Sequence, residues 1–425
     1  LIENKSHSVI TVGDDCHKTI HSMVYILNHA LLNNNKTVIY HRLDHAIISK
    51  DKDLENLVYK LKNKELKTLI IIDIDLLYFA SHYFNTKNEL FTLLSEVEVI
   101  YLGSHNDKTS QIANWSVPKS HYLESWGDTT SLDGSISITQ PMISPLYDSL
   151  SINELLSVIN LDGSSTKSFL ADYDILRKSW KDLISTNFQS KWNKTIHDGY
   201  YHGSSGKFSI TTSKPSQNAH TRVYRDLKNL IKDNKSNSLE LRFVSSSQVY
   251  DGRYINNYWL RETSDPVTKI SWENVALISY KTSKKMNLKN SNIISISVED
   301  KTISLPVWVL PGIPNNTVIL EVGYGRVIDK SSDRNYIDED LLGSNVLPLK
   351  SISSNYVSSA TLLNTGESTR VACTQDHHGL DFEKLAADEV DKRLPEIIRE
   401  AHIEEFRKNE DFVLDYDRKK HIPDD

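Results

Sequence analysis

The chain has 425 residues, 39% hydrophobic and 25% charged, and a net charge of −7. That length exceeds one ordinary hydrophobic core, so more than one packed unit is expected, and the composition excludes a wholly disordered or collagen-like chain. Lys and Arg are spread without a basic stripe, which argues against nucleic acid as a partner, and the longest apolar run, Thr68 to Ala80, falls short of the roughly 20 residues that span a bilayer.

Ser8 to Gly13 is β-branched and apolar and predicts a strand, and His17 to Leu32 predicts a helix with Ile20, Met23, Val24, Leu27 and Leu31 on one face. The first residues show neither an initiator Met nor a signal-peptide pattern, so the chain is expected to start inside a longer protein. Thr37 to Tyr40 predicts a second strand and Leu54 to Leu66 a second helix. Thr68 to Ile74 predicts a strand buried on both faces, Glu89 to Leu94 a helix, and Val97 to Leu102 a further strand. This alternation predicts an α/β domain over residues 1–150 with a doubly wound, Rossmann-like parallel sheet. After Pro118 the pattern changes to long Gly-, Asp- and Ser-rich loops. Residues 151–237 read as a helical connecting region anchored by Trp180 and Trp192 and interrupted by the polar stretch His202 to Gln217. From Ser238 onward short β-rich runs recur at Leu239–Val244, Val275–Ser279, Ile293–Val298, Thr302–Val309, Thr317–Glu321 and Tyr356–Leu362. With no helices of comparable length between them, they predict a β-barrel over residues 238–365. Residues 366–425 form a tail rich in charge, with helical spacing from Phe382 on.

Short motifs carry little chemistry. Asp73 and Asp75 end the apolar run IIIDIDLLY, where strand C-termini of open α/β sheets place ligand groups. Alternation along a strand would put both carboxylates on one face, where they could share Mg²⁺; the competing reading is loop capping. Cys16, His17 and His21 gather near a helix start, and Cys373, His377 and His378 form a denser cluster in ACTQDHHGLD. Thiolate and imidazole suit transition metals, but polar contacts of a surface helix and of a tail explain them equally. Only Cys16 and Cys373 are present, too few thiolates for an iron–sulfur cluster or a four-thiolate zinc site. In GYGR, Gly323 and Gly325 lack the third glycine of a dinucleotide fingerprint, and GSSGKF lacks the Ser or Thr that a P-loop needs after Lys207. No G-x-S-x-G elbow occurs.

Longer stretches are more informative. HYLESWGD (His121 to Asp128), DGS (Asp133 to Ser135) and QPMISPLYDS (Gln140 to Ser149) are followed by YDGRYINNYWLRETSDPVTKISWENVA (Tyr250 to Ala276), LPVWVLPG (Leu305 to Gly312), GYGR (Gly323 to Arg326), TQDHHG (Thr374 to Gly379) and EEFRKNEDF near residue 408. In this order they resemble the molybdopterin-oxidoreductase-like part of the large iron–sulfur subunit of bacterial alternative complex III, over nearly the whole chain. The resemblance implies a molybdoenzyme-type Rossmann-like domain followed by a double-psi β-barrel. It also implies a quinol-oxidising respiratory system on the periplasmic face of the bacterial inner membrane. The expected partners are the other subunits of that membrane-bound complex, including haem c and quinol-binding membrane subunits, and a terminal oxidase.

In that family the molybdoenzyme-like region holds no molybdenum cofactor, and iron–sulfur clusters belong to a following domain. No cofactor is therefore expected in this chain, which is read as a scaffold and not as the catalytic part. Asn256, Asn257, Asp265, Gly323, Gly325 and Arg326 are the candidates for a vestigial pterin site. Trp259, Trp272 and Trp308 are expected to add apolar area to packing or interfaces. The family's Asn-Pro turn after the strand at Ile70 to Ile74 is replaced here by Asp73 and Asp75 with no proline nearby. Two alternatives are a true molybdopterin oxidoreductase fragment and a Mg²⁺-dependent phosphotransferase using Asp73 and Asp75.

Overall fold

The computed structural model describes residues 1–13, 16–40, 51–81, 87–160, 171–204, 214–233, 239–326, 342–351, 354–374, 398 and 400–413. The chain divides into two units. One comprises Leu1–Lys235, Val327–Asp340 and Lys350–Asn355, and the other Ser236–Arg326, Leu341–Leu349 and Tyr356–Asp425. Among the described residues no helix is long and apolar enough to cross a membrane.

The first unit begins with α1 (Lys18–Ala30), α2 (Asp51–Lys62), β1 (Thr68–Ile72), α3 (Leu76–Phe79), α4 (Lys87–Ser95), β2 (Glu98–Gly103), α5 (Lys108–Ile112) and β3 (Trp115–Pro118). The three strands form a parallel sheet in the order β1-β2-β3, with Thr68 opposite Glu98 and Ile100 opposite Trp115. Parallel pairing and alternating helices agree with the α/β expectation, and Leu61, Ile71, Leu90, Leu94 and Val99 fill the core between helices and sheet.

Two expected strands do not form. In the segment Ser8 to Gly13, the Ile10 N–H donates to Asn28 Oδ1 (3.1 Å) and the Ile10 carbonyl accepts from Asn28 Nδ2 (2.8 Å), so a buried side chain of α1 replaces a ladder. Thr37 to Tyr40 instead folds back on Asn33, whose carbonyl accepts from the amides of Thr37 and Val38. The third strand of the sheet is β3, which ends at the composition change at Pro118 and which the sequence pattern does not predict.

Past Pro118 the expected loops contain a hairpin of β4 (Gly127–Thr130) and β5 (Ile136–Thr139), closed by a turn in which Asp133 accepts from Ser131 and Ser135. The conspicuous sequence runs are used here as ties: Glu124 accepts from the amides of His121 and Leu146, Asp128 accepts from Trp180 Nε1 (2.7 Å), and Gln140 donates to the Ile196 carbonyl. Four helices follow, α6 (Ile152–Ile159), α7 (Asp172–Leu183), α8 (Phe188–Asp198) and α9 (Ala219–Asp233). A capping box of Ser151 and Glu154 starts α6. Trp180 and Trp192, fully buried and edge-to-face at 5.5 Å, anchor a core with Ile138, Leu176 and Ile184, as the sequence predicts for both tryptophans.

The second unit is a closed barrel. β6 (Leu239–Ser245) leads through α10 (Tyr258–Glu262) to β7 (Ala276–Ile278), and α11 (Tyr280–Met286) leads to β8 (Asn292–Val298), β9 (Lys301–Val309), β10 (Thr317–Val322) and β11 (Tyr356–Ser368). A short helix, α12 (Ile403–Lys408), lies in the expected tail. All six predicted runs are barrel strands, in the order β10-β6-β11-β8-β9-β7 with β7 closing on β10. The pairs β6/β10 and β7/β9 are parallel and the others antiparallel. Alternation of side chains along each strand sends Leu241, Phe243, Ile294, Ile296, Leu305, Val307, Val318 and Leu320 inward to a single core. A parallel three-stranded sheet in the first unit and a closed six-stranded mixed barrel in the second give the chain a mixed α/β architecture.

Candidate functional site

The sequence candidates of the second unit converge on one end of the barrel, where the loop between β6 and β7 meets the GYGR turn after β10. The loop joins β6 to β7, the two strands that flank β10, and so passes the end of β10. Its fixed point is Asp265, buried at 9% exposure. Asp265 Oδ1 accepts from the amides of Val267 (2.9 Å) and Thr268 (2.6 Å) and from the Thr268 hydroxyl (2.9 Å), while Oδ2 accepts from Ser247 (2.8 Å). Burial opposes its charge, but these bonds outweigh it and hold the carboxyl below its usual range. Asn257 is the N-cap of α10 and accepts from the Leu260 amide at 3.2 Å. Asn256 beside it is buried.

The GYGR turn is packed backbone against backbone. Gly323 has φ of 110°, and a Cβ there would meet Tyr250 O and Gly252 N at 3.0 Å each. Gly325 has φ of 74° and donates to the Leu342 carbonyl, and a Cβ there would lie 2.1 Å from Asn345 N. Both glycines serve close approach of this chain to itself, so the space that they open is taken by protein backbone. Arg326 donates from Nη1 to the Gly252 carbonyl.

Residues between these candidates complete the network. Tyr324 donates to Gln248 Oε1 (2.5 Å) and lies 3.2 Å from the Ser246 hydroxyl; Gln248 Nε2 donates to the carbonyls of Thr263 and Ile270. Burial, against a bond from Ser246 and with the charges of Glu321 and Asp265, pushes the Tyr324 hydroxyl up to about 12. Asn274 Nδ2 bridges the carbonyls of Glu321 (2.8 Å) and Ser344 (3.0 Å), and its Oδ1 accepts from the Ser344 amide. Sequence reasoning singled out neither Gln248 nor Glu321. Single polar residues outside a motif give no signal until the fold brings them together.

The other candidates fall elsewhere. Cys373 sits beside the Asp265 turn through a bridge with Ile270, and its Sγ lies 3.6 Å from the Thr268 carbonyl; His377 and His378 lie outside the described residues. In the first unit, Asp73 and Asp75 do not share a strand face, because β1 ends at Ile72 and Asp73 takes a left-handed φ of 54°. Asp73 accepts from Ser104 and pairs with Lys119. Asp75, only 2% exposed, caps α3 by accepting from the Tyr78 amide (3.3 Å) and also accepts from Thr109 (2.7 Å). Each carboxylate is committed to a different local contact, the loop-capping alternative for Asp75. His17 caps α1 through Nδ1, which accepts from the Thr19 amide at 3.2 Å. Among the described residues no group of three His, Cys, Asp or Glu side chains is placed to hold a metal ion. Trp259 is 80% exposed and Trp272 46%, whereas Trp308 packs against Ile270, Val275 and Leu277.

No family profile matches this sequence, and no curated protein does. Among solved structures, acetylene hydratase from Pelobacter acetylenicus is similar at 12% identity and a TM-score of 0.44. The match covers 75% of this chain and 47% of that enzyme, so the chain spans about half its length.

Proposed function

We propose that this chain is the molybdopterin-oxidoreductase-like part of a quinol-oxidising alternative complex III, in which it acts as a cofactor-free scaffold that positions a cluster-bearing domain and neighbouring subunits. One observation supports the scaffold reading: the groups singled out as a vestigial pterin site at the end of the barrel bond within the chain. Asp265 takes four hydrogen bonds from its own loop, Asn257 caps a helix, Arg326 binds the Gly252 carbonyl, and Gly323 and Gly325 face protein backbone. A dinucleotide site needs donors and glycine-lined space turned toward a ligand; here both are turned inward. The ordered sequence runs from His121 to Phe412 support the assignment to that complex, with partners among its haem c and quinol-binding membrane subunits on the periplasmic face of the membrane.

Affinity purification of the tagged full-length protein from its native membranes tests this reading. Co-purification with a haem c protein and quinol-oxidising membrane subunits is expected. Asp265→Ala should lower the yield of assembled complex while leaving turnover per assembled complex unchanged. Isolation of the chain as an independent enzyme would contradict the proposal.

A further inference from the structure

Three carboxyl groups, Asp265, Glu273 and Glu321, line one cavity of about 10 Å³ between β10 and the loop that precedes β7. That is room for about one water. Gln248, Thr268 and the apolar side chains of Ile270, Val275 and Leu277 form the rest of its wall. The three carboxyls are treated unequally. Asp265 is held by four hydrogen bonds, and Glu273 takes one backbone bond, from Ala372. The Glu321 carboxyl has no hydrogen bond or ion pair among the described residues.

Nor does a cation face Glu321 from the packed elements. On β6, Arg242 is in register with Ile319 and holds its guanidinium over the Tyr356 ring. In the loop, Lys269 donates to the Pro266 carbonyl. On the segment paired with the loop, Arg370 is exposed and Cys373 lies against Thr268. β7 contributes only Ala276, Leu277 and Ile278, and Tyr324 beyond β10 is committed to Gln248. Burial, and then the charge on Asp265, raises Glu321 to about 7. Burial also raises Glu273.

We propose that this pocket is a protonation-controlled latch on the loop: with a proton on Glu321 it stays closed over a single water, and loss of that proton opens the Asp265–Glu273 segment to solvent. The link from pocket to backbone is short. Glu321 lends its carbonyl to Asn274, the residue after Glu273, so movement of Glu321 is transmitted to the end of the loop and, through Asn274, to Ser344. Because the closed state binds the proton more tightly than the open one, closure is favoured below the ordinary Glu value of 4.5 and is weakened as pH rises through about 7.

Hydrogen exchange on the full chain, corrected for intrinsic rates, tests the latch at the amides of Asp265, Val267, Thr268 and Lys269, all hydrogen-bonded within the loop. Their opening constant should rise on the order of tenfold per pH unit between about 5 and 7 and level off above. Glu321→Gln should reduce that slope to the part that Glu273 contributes and keep the loop better protected at pH 8. An infrared band of a protonated carboxyl that titrates near neutral pH in the unsubstituted protein, and is lost in Glu321→Gln, gives a second readout if the variant folds poorly. Protection that does not change from pH 5 to 8, or a slope equal in both proteins, would overturn the proposal.

Discussion

Gly252 and Gly323 lie back to back at the end of the barrel: a Cβ on Gly252 would stand 2.8 Å from the Gly323 carbonyl oxygen, and Gly252 has φ of 101°. The contact joins the loop after β6 to the turn after β10, two elements 71 residues apart in sequence (323 − 252). An alanine at either position adds both backbone strain and overlap, each of which costs about 1–3 kcal/mol. Gly252→Ala and Gly323→Ala should each lower the urea midpoint of the barrel. Because both act on one contact, the double variant should lose less than the sum of the two. Urea denaturation of the three variants checks this.

Asp265→Ala leaves the part-buried amides of Val267 and Thr268 and the Ser247 hydroxyl without their acceptor, a loss of about 2–4 kcal/mol. The pH dependence has a definite sign. The folded protein holds Asp265 below its ordinary value of 3.8, so its contribution is present above that value and is lost as pH falls through the lower folded one. The stability gap between unsubstituted protein and Asp265→Asn should therefore narrow in acid. Unfolding curves across the acidic range measure it.

The two aspartates after β1 should behave differently. Asp75→Ala removes a buried helix cap and the acceptor of Thr109, costing about 1–2 kcal/mol, whereas Asp73, 44% exposed in its pair with Lys119, should cost under about 1 kcal/mol. Millimolar Mg²⁺ should leave the thermal midpoint unchanged, because neither carboxylate is free to ligate it. Differential scanning fluorimetry with and without Mg²⁺ reads both effects.

The barrel was legible because each of its six strands carries its own β-rich run, from Leu239 to Tyr356, bounded by turn residues. Trp180 and Trp192 were legible as anchors for a related reason, since large aromatics at helical spacing have few places to go but a core. The misreadings arise where a local contact or turn displaces strand pairing. Asn28 satisfies Ile10 and so removes a predicted strand, and the left-handed turn at Asp73 separates two carboxylates that strand alternation would have aligned. At the barrel end, sequence pointed to Asp265 and GYGR, but the partners that explain them, Gly252, Gln248 and Asn274, are long-range and invisible to any local pattern.

Trp192 is fully buried against Trp180, Phe188 and Tyr173. Trp192→Ala should cost about 3–5 kcal/mol through the cavity it leaves, and Trp192→Phe clearly less. Tryptophan fluorescence during urea unfolding would separate the two variants.

The central claim is that the barrel end is closed on its own polar groups and serves as a scaffold. Its most direct test is metal and pterin analysis of the full-length protein in its native assembly, by elemental analysis for molybdenum and fluorescence of the oxidised pterin. The account predicts neither above background, alongside intact assembly with the neighbouring subunits. One molybdenum or one pterin per chain, lost on substituting Asp265 or Arg326, would contradict it.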